Sequence, residues 1–234
     1  VKGNCWIATR CPATFVRSRL ARTVVRTEST VLPVRNSFCS TVMGESGKVN
    51  INTVTEATLR KIIGQLGLEG EGKDVVTDSI LDWRDADDLY RINGGENDYY
   101  QSLKEPYACK NGNLDSIEEL LLVRGVTPEL FYGKKAAKKG EGEENTASPR
   151  IGLRDLFSLY STGEQIDINS ATSPVLRMVA GLPTEVVRQI IKAREEKVFL
   201  HEMDLLQRVP EIRPLLGEAR RFLVYQSAIP VYTL

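Results

Sequence analysis

Apolar residues recur at helical spacing in three places along the chain. Leu59, Ile62, Ile63 and Leu66 fall on one face of a 3.6-residue period, as do Ile117, Leu120 and Leu121, and again Val186, Val187, Ile190 and Ile191. Start and stop signals frame these faces. Thr53 and Glu56 have the spacing of a capping box, in which hydroxyl and carboxylate satisfy the free N–H groups of a helix start, and Ser116 and Glu119 repeat it. Gly125 supplies a stop, and Pro128 after Thr127 suits a first helical position. Val- and Thr-rich stretches predict strands over 24–34 and 38–51, punctuated by Pro33 and by Gly44 and Gly47. Further strands are predicted over 156–160, 165–168 and 222–232, where Pro230 marks an edge or a strand end. Blocks of strands and blocks of helices predict an α+β fold rather than an alternating βαβ one.

One unit is used twice. VNINTVTEATLR (49–60) and IDINSATSPVLR (166–177) match at Ile51/Ile168, Asn52/Asn169, Thr55/Thr172, Leu59/Leu176 and Arg60/Arg177. The shared pattern is strand, Asn-containing turn, helix. Between the copies lies GKKAAKKGEGEENTASPR (133–150), which has almost no large apolar side chain to bury and reads as a linker.

Length and composition narrow the classes. The chain has 234 residues, enough for one or two domains with a sizeable core. Lys+Arg and Asp+Glu are both 31, a zero balance that argues against a nucleic-acid coat. The charge is uneven, however. Residues 1–46 carry seven basic and two acidic residues, an Arg-rich opening in the style of a transit peptide or of a fragment's end. Residues 69–98 carry ten acidic residues against Lys73, Arg84 and Arg91. No apolar run approaches the roughly 20 residues that cross a bilayer. The single histidine, His201, excludes metal sites needing two, and its context reads as a surface or helix-boundary position. Cys5, Cys11, Cys39 and Cys109 form no CxxC pair, so their disulfide state stays open. No GxSxG, Walker loop or GxGxxG is present, and no enzyme is expected.

Two stretches carry candidate chemistry. Asp78, Asp82 and Asp85 share a helical face, with Asp87, Asp88, Glu96 and Asp98 close behind. Like charges at i, i+4 destabilise a helix, so Arg84, Arg91, solvent or a cation must offset them. Calcium would suit such hard oxygens, although the EF-hand pattern fails at Leu89 and Tyr90. Trp83, Tyr90, Tyr99, Tyr100 and Tyr107 surround this stretch, as a core for Trp83 and as core or interface for the tyrosines. The second stretch, 168–195, resembles a helix-hairpin-helix unit, with Arg188, Lys192 and Arg194 on its second helix. Such hairpins grip phosphate through backbone N–H groups. Its hairpin is Gly181-Leu182-Pro183-Thr184, and Pro183 has no N–H to donate, so the hairpin is expected to pack. A nucleic-acid-binding module is the competing reading.

Taken together, ESGKVNINTVTEATL (45–59), ILDWRDADD (80–88), NGGENDYYQSL (93–103), PYACKNGNLDSIEELLLVRGVTPELFYG (106–133) and QIDINSATSPVL (165–176) resemble the general secretion pathway protein K family, the large minor pseudopilin of type II secretion systems. The resemblance implies a pilin-like α+β body carrying a large inserted helical domain. It divides the chain into 1–52 with pilin-like strands, 53–150 as the helical insertion ending in the linker, and 151–234 returning to the body with the helix-hairpin-helix-like unit. It implies a non-enzymatic tip subunit of a periplasmic pseudopilus, bound to two other minor pseudopilins, with no nucleic-acid partner. It also implies calcium in the helical domain. Clustering and position within the matching motifs select Asp82, Asp85, Asp87, Asp88 and Glu96 as ligands. Such proteins begin with an apolar inner-membrane helix. Residues 1–40 hold none, so that helix is expected to be absent from this chain or truncated.

Overall fold

The computed structural model describes residues 43–133, 151–225 and 232–233. The strand predicted over 24–34, the linker and Cys5, Cys11 and Cys39 lie outside them. The order is β1 (Met43–Gly44), β2 (Val49–Asn50), α1 (Glu56–Gln65), α2 (Gly70–Arg84), α3 (Asn97–Gln101), a 3-10 turn (Ile117–Leu122) and α4 (Pro128–Tyr132). Then come α5 (Leu153–Leu156), β3 (Phe157–Ser158), β4 (Ile166–Asp167), α6 (Ser173–Met178), α7 (Thr184–Glu196), α8 (Glu202–Arg208), a 3-10 turn (Pro210–Leu215), α9 (Leu216–Ala219), β5 (Leu223–Val224) and β6 (Tyr232–Thr233). The fold is α+β, and helix outweighs strand. Among the described residues, the strands are two-residue bridges: β1 runs antiparallel to β6, and β2–β3 and β4–β5 are parallel. The chain leaves one strand at Asn50 and returns beside it at Phe157, so α1 to α5 lie between sheet neighbours.

Two helical hairpins dominate, α1–α2 and α6–α7. In the first, Leu59, Ile62 and Ile63 are buried against Val76 and Ile80 of the same core. The N-cap is Thr55, two residues later than the Thr53 capping box predicts: its hydroxyl accepts from the Thr58 N–H, and Glu164 from across the fold accepts its N–H at 2.7 Å. A distant carboxylate therefore does what a local Glu would have done. The box at Ser116 and Glu119 forms as expected, although the segment it opens is 3-10 rather than α. Thr127 caps α4 with Pro128 at its start. His201 caps α8, its Nδ1 accepting from the Asp204 N–H at 3.1 Å.

The duplicated motif folds the same way twice. Asn52 Nδ2 donates to Leu114 O at 3.0 Å while its Oδ1 accepts from the Leu114 N–H at 2.9 Å. Asn169 likewise donates to Phe199 O and Tyr225 O and accepts from the Phe199 N–H at 2.8 Å. After each strand, two carbonyls turn inward without a ladder partner, and an arginine at the end of the hairpin's second helix satisfies them. Arg84 donates to Ile51 O at 2.7 Å and Val54 O at 2.6 Å. Arg194 donates to Ile168 O at 2.8 Å and Ala171 O at 2.6 Å. Burial lowers both guanidinium pKa values, the mark of a charge held deep for its hydrogen bonds. Replacing Arg194 by Met leaves two buried carbonyls unpaired, which costs about 2–4 kcal/mol by the usual penalty per group. Urea unfolding of Arg194→Met is therefore expected to show a lower midpoint at unchanged slope.

Candidate functional site

The last turn of α2 sends four consecutive side chains to four places. Asp82 is fully buried, with none of its surface exposed, and faces the loop 85–96. Trp83 points into an aromatic cluster, its ring 5.1 Å from Tyr100 edge-on and 6.3 Å from Tyr107. Arg84 makes the clamp described above. Asp85 ends the helix as its C-cap. Tyr100 is wholly buried, and its hydroxyl accepts from the Arg124 N–H at 3.2 Å. Tyr107 is partly buried and donates to Leu122 O at 2.7 Å. These two tyrosines and Trp83 form the core of the helical segment, whereas Tyr90 stands 71 % exposed.

Arg91 organises the acidic loop. Its Nη1 bridges Asp82 Oδ1 at 2.5 Å and Asp85 Oδ2 at 2.7 Å, and its backbone N–H also donates to the Asp82 carboxylate. Asn93 donates from backbone and side chain to Asp78, which also pairs with Arg60. Gly94 must be glycine, because a Cβ there would run into the Asp82 carboxylate. Its carbonyl takes Arg124 Nη1 at 2.7 Å. Burial raises the Asp82 pKa in spite of the Arg91 hydrogen bonds, while those bonds outweigh burial at Arg91 and raise its own.

The five residues expected to hold calcium are thus distributed as follows. Asp82 and Asp85 are taken by Arg91. Asp87 Oδ1 accepts the Leu89 N–H at 2.9 Å, and Asp88 Oδ1 accepts from Asn111 Nδ2 at 2.7 Å. Glu96 differs: it is 4 % exposed and both its oxygens lack a hydrogen-bond partner, as do the buried Asp85 Oδ1 and Asn111 Oδ1. Among the described residues, no three His, Cys, Asp or Glu side chains come together as metal ligands. The unpartnered oxygens are nonetheless hard donors of the kind a divalent cation takes. Arg91, which offsets part of this charge, is one of the two arginines the sequence offers as offsets. Its choice of Asp82 and Asp85 follows from the tight turn at Gly94, which only the folded loop shows.

The second candidate stretch packs as expected. Gly181 turns the hairpin at a φ of +71°, Leu182 is buried and Pro183 precedes α7. Of the three basic residues on α7, Arg194 is committed to the clamp, Arg188 is exposed and pairs with Glu185, and Lys192 is exposed.

Helical hairpins on a minimal sheet, with an acidic loop bridged by Arg91, are the features that comparison with known proteins places in context. Residues 41–133 match the family model for protein K of the type II secretion system, and residues 161–223 match the helix-hairpin-helix motif. Type II secretion system protein K of Pectobacterium carotovorum subsp. carotovorum is 35 % identical over 72 residues, 31 % of this chain. That of Aeromonas hydrophila is 38 % identical over 73 residues, again 31 % of this chain. The matched stretch spans 22 % of each relative's length. A chain in the crystal structure of the GspK-GspI-GspJ complex from the enterotoxigenic Escherichia coli Type 2 Secretion System superposes with a TM-score of 0.52 at 16 % identity, covering 82 % of this chain and 71 % of that one. Over residues 41–133, this chain is similar to the type II secretion system protein K family.

Glu96 gives this site a measurable pH dependence. Burial first, then the charges of Asp82, Asp85 and Asp88, push its pKa up to about 7 from an ordinary 4.5. The folded state therefore holds this proton more tightly than the unfolded one. Its stabilising effect is complete below the unfolded pKa and is lost as pH rises through the folded pKa, with a slope of at most about 1.4 kcal/mol per pH unit. Between about pH 5 and 7, the melting temperature of the wild type is expected to fall relative to that of Glu96→Gln, which has no proton to lose there.

Proposed function

We propose that this chain acts as a minor pseudopilin of a type II secretion pseudopilus, working by assembly rather than catalysis. The family match over 41–133, lying within a fold likeness over 82 % of the chain, carries this reading. In it, the helical region 53–150 is an insertion in a pilin-like body formed by the flanking segments. The neighbour's complex supports two pilin-like partners. The subunit sits at the pseudopilus tip, with its globular part in the periplasm and an apolar N-terminal helix as its inner-membrane link. Among the described residues, no helix is long and apolar enough to cross a membrane.

The geometry suits such a part. A tip subunit must hold its shape while its partners pack against it. Here two clamped hairpins and an aromatic core supply rigidity. A nucleic-acid role draws no support from the helix-hairpin-helix unit, because Pro183 lacks the N–H and Arg194 is spent on carbonyls. The test is reconstitution with I- and J-type pseudopilins, the partners in the neighbour's complex. Light scattering after size exclusion is expected to give a single ternary species; three separate monomers at micromolar concentration would refute the assignment.

A further inference from the structure

Four buried oxygens around the loop that follows α2 have no hydrogen-bond partner among the described residues: Asp85 Oδ1, both carboxylate oxygens of Glu96, and Asn111 Oδ1. A buried acceptor without a donor is costly, and four in one region call for a bound group. All four only accept, which suits a hard cation and no anion. The resemblance implies calcium in this domain, and these donors fit it. We infer that Asn111, a residue outside the acidic run, is a ligand of that cation together with Asp85 and Glu96, and that Asp88 holds Asn111 in place instead of binding the ion itself. The inference concerns this region alone and stands or falls independently of the assembly role.

Three observations carry it. First, segments distant in sequence are stitched together here. Asn111 Nδ2 donates to Asp88 Oδ1 at 2.7 Å and to Asp87 O at 3.1 Å. The Gly112 N–H reaches Trp83 O at 3.3 Å, and the Cys109 N–H reaches Asn97 Oδ1, next to Glu96, at 3.3 Å. Residues 109–112 are thereby tied to the end of α2, to the acidic loop and to the start of α3, and the charges of Asp85 and Asp88 both act on Glu96. Second, these ties decide which way the amide faces. A carboxylate and a carbonyl only accept, so Nδ2 must face Asp88 and Asp87 O, and Oδ1 is turned away from them. An aspartate could not hold both, having no proton to give. Asn also tolerates the left-handed backbone at this position, where φ is +47°. Third, Glu96 is 4 % exposed with both oxygens bare, while Arg91 is spent on Asp82 and on the other oxygen of Asp85. The buried Glu96 carboxylate thus has no counter-charge from Arg91, and a cation supplies one.

The ligand set is two carboxylates and an amide, which agrees with the absence of any three acidic, Cys or His ligands together among the described residues. Asp87 and Asp88 build the wall of the site: Asp87 holds the Leu89 N–H, and Asp88 holds Asn111. A cation that takes six to eight oxygens keeps water in positions these three residues leave open, so losing one protein donor should admit another water.

The test is calorimetric titration of the full chain with calcium chloride, joined to terbium luminescence. Terbium stands in for calcium, and its lifetimes in light and heavy water count the waters bound to the ion. The wild type is expected to bind calcium saturably. Asn111→Gly removes the amide while suiting the left-handed backbone. It is expected to bind at least about tenfold more weakly and to show an additional bound water. Asp88→Ala is expected to weaken binding at the wild-type water count, because the amide still reaches the ion. That variant keeps the inference open to refutation if Asn111→Gly does not fold. A wild type without saturable calcium binding would overturn the inference. So would an Asn111→Gly variant that keeps the wild-type affinity or water count, or an additional water in Asp88→Ala.

Discussion

The end of α2 is where the helical segment is tied together. Asp82 and Arg84 lie on either side of Trp83, each buried or half-buried and each needing a partner, and they find partners in opposite directions. Arg84 reaches back to the carbonyls that follow β2, and Asp82 reaches forward to Arg91 in the next loop. Because a buried charge without its counter-group costs several kcal/mol, neither side can let go without the other segment losing its anchor. Trp83 between them sets the aromatic core against which Tyr100 and Tyr107 stack. The strand exit, the acidic loop and the aromatic core are thus positioned by one helical turn.

The same solution appears in the second hairpin, stripped of the acidic loop. Arg194 meets Ile168 O and Ala171 O as Arg84 meets Ile51 O and Val54 O, and Asn169 bridges to a remote backbone as Asn52 does. A strand of two residues offers little ladder, so the carbonyls beyond it need side-chain donors. This explains how a fold with so little sheet holds its strands in register. It also fits a helix-hairpin-helix unit whose hairpin carries Pro183, which has no N–H to offer a phosphate, and buries Leu182.

Much of this was legible in the sequence where local chemistry decides. The amphipathic faces of α1 and α7, the Ser116–Glu119 box, the Thr127–Pro128 start and the doubled Asn motif all follow from spacing alone. What escaped was settled by tertiary contact. The cap at Thr55 needs Glu164, more than a hundred residues away. Within the described residues, strand pairing is shorter than predicted, because Val and Thr mark half-buried extended chain as readily as a paired ladder. Carboxylate spacing in the acidic run shows where charge gathers, and the fold shows which part of it Arg91 offsets. Arg91 stood in plain view among those carboxylates, and the turn that brings it inward exists only once Gly94 closes on Asp82. The arginines ending both second helices were the available hint of a shared clamp.

For an assembly subunit, these ties matter through what they leave free. The latched loop exposes Leu89, Tyr90 and Ile92 on a fixed base, and a fixed surface costs less ordering when a partner docks. The central claim is that Asp82, at the end of α2, anchors that base through its bonds to Arg91. Amide hydrogen exchange across residues 85–96 in the wild type and in Asp82→Asn tests it most directly. The account predicts protection at the Arg91 and Gly94 amides, both hydrogen-bonded in the loop, that falls in Asp82→Asn. Equal protection in the two proteins would contradict it.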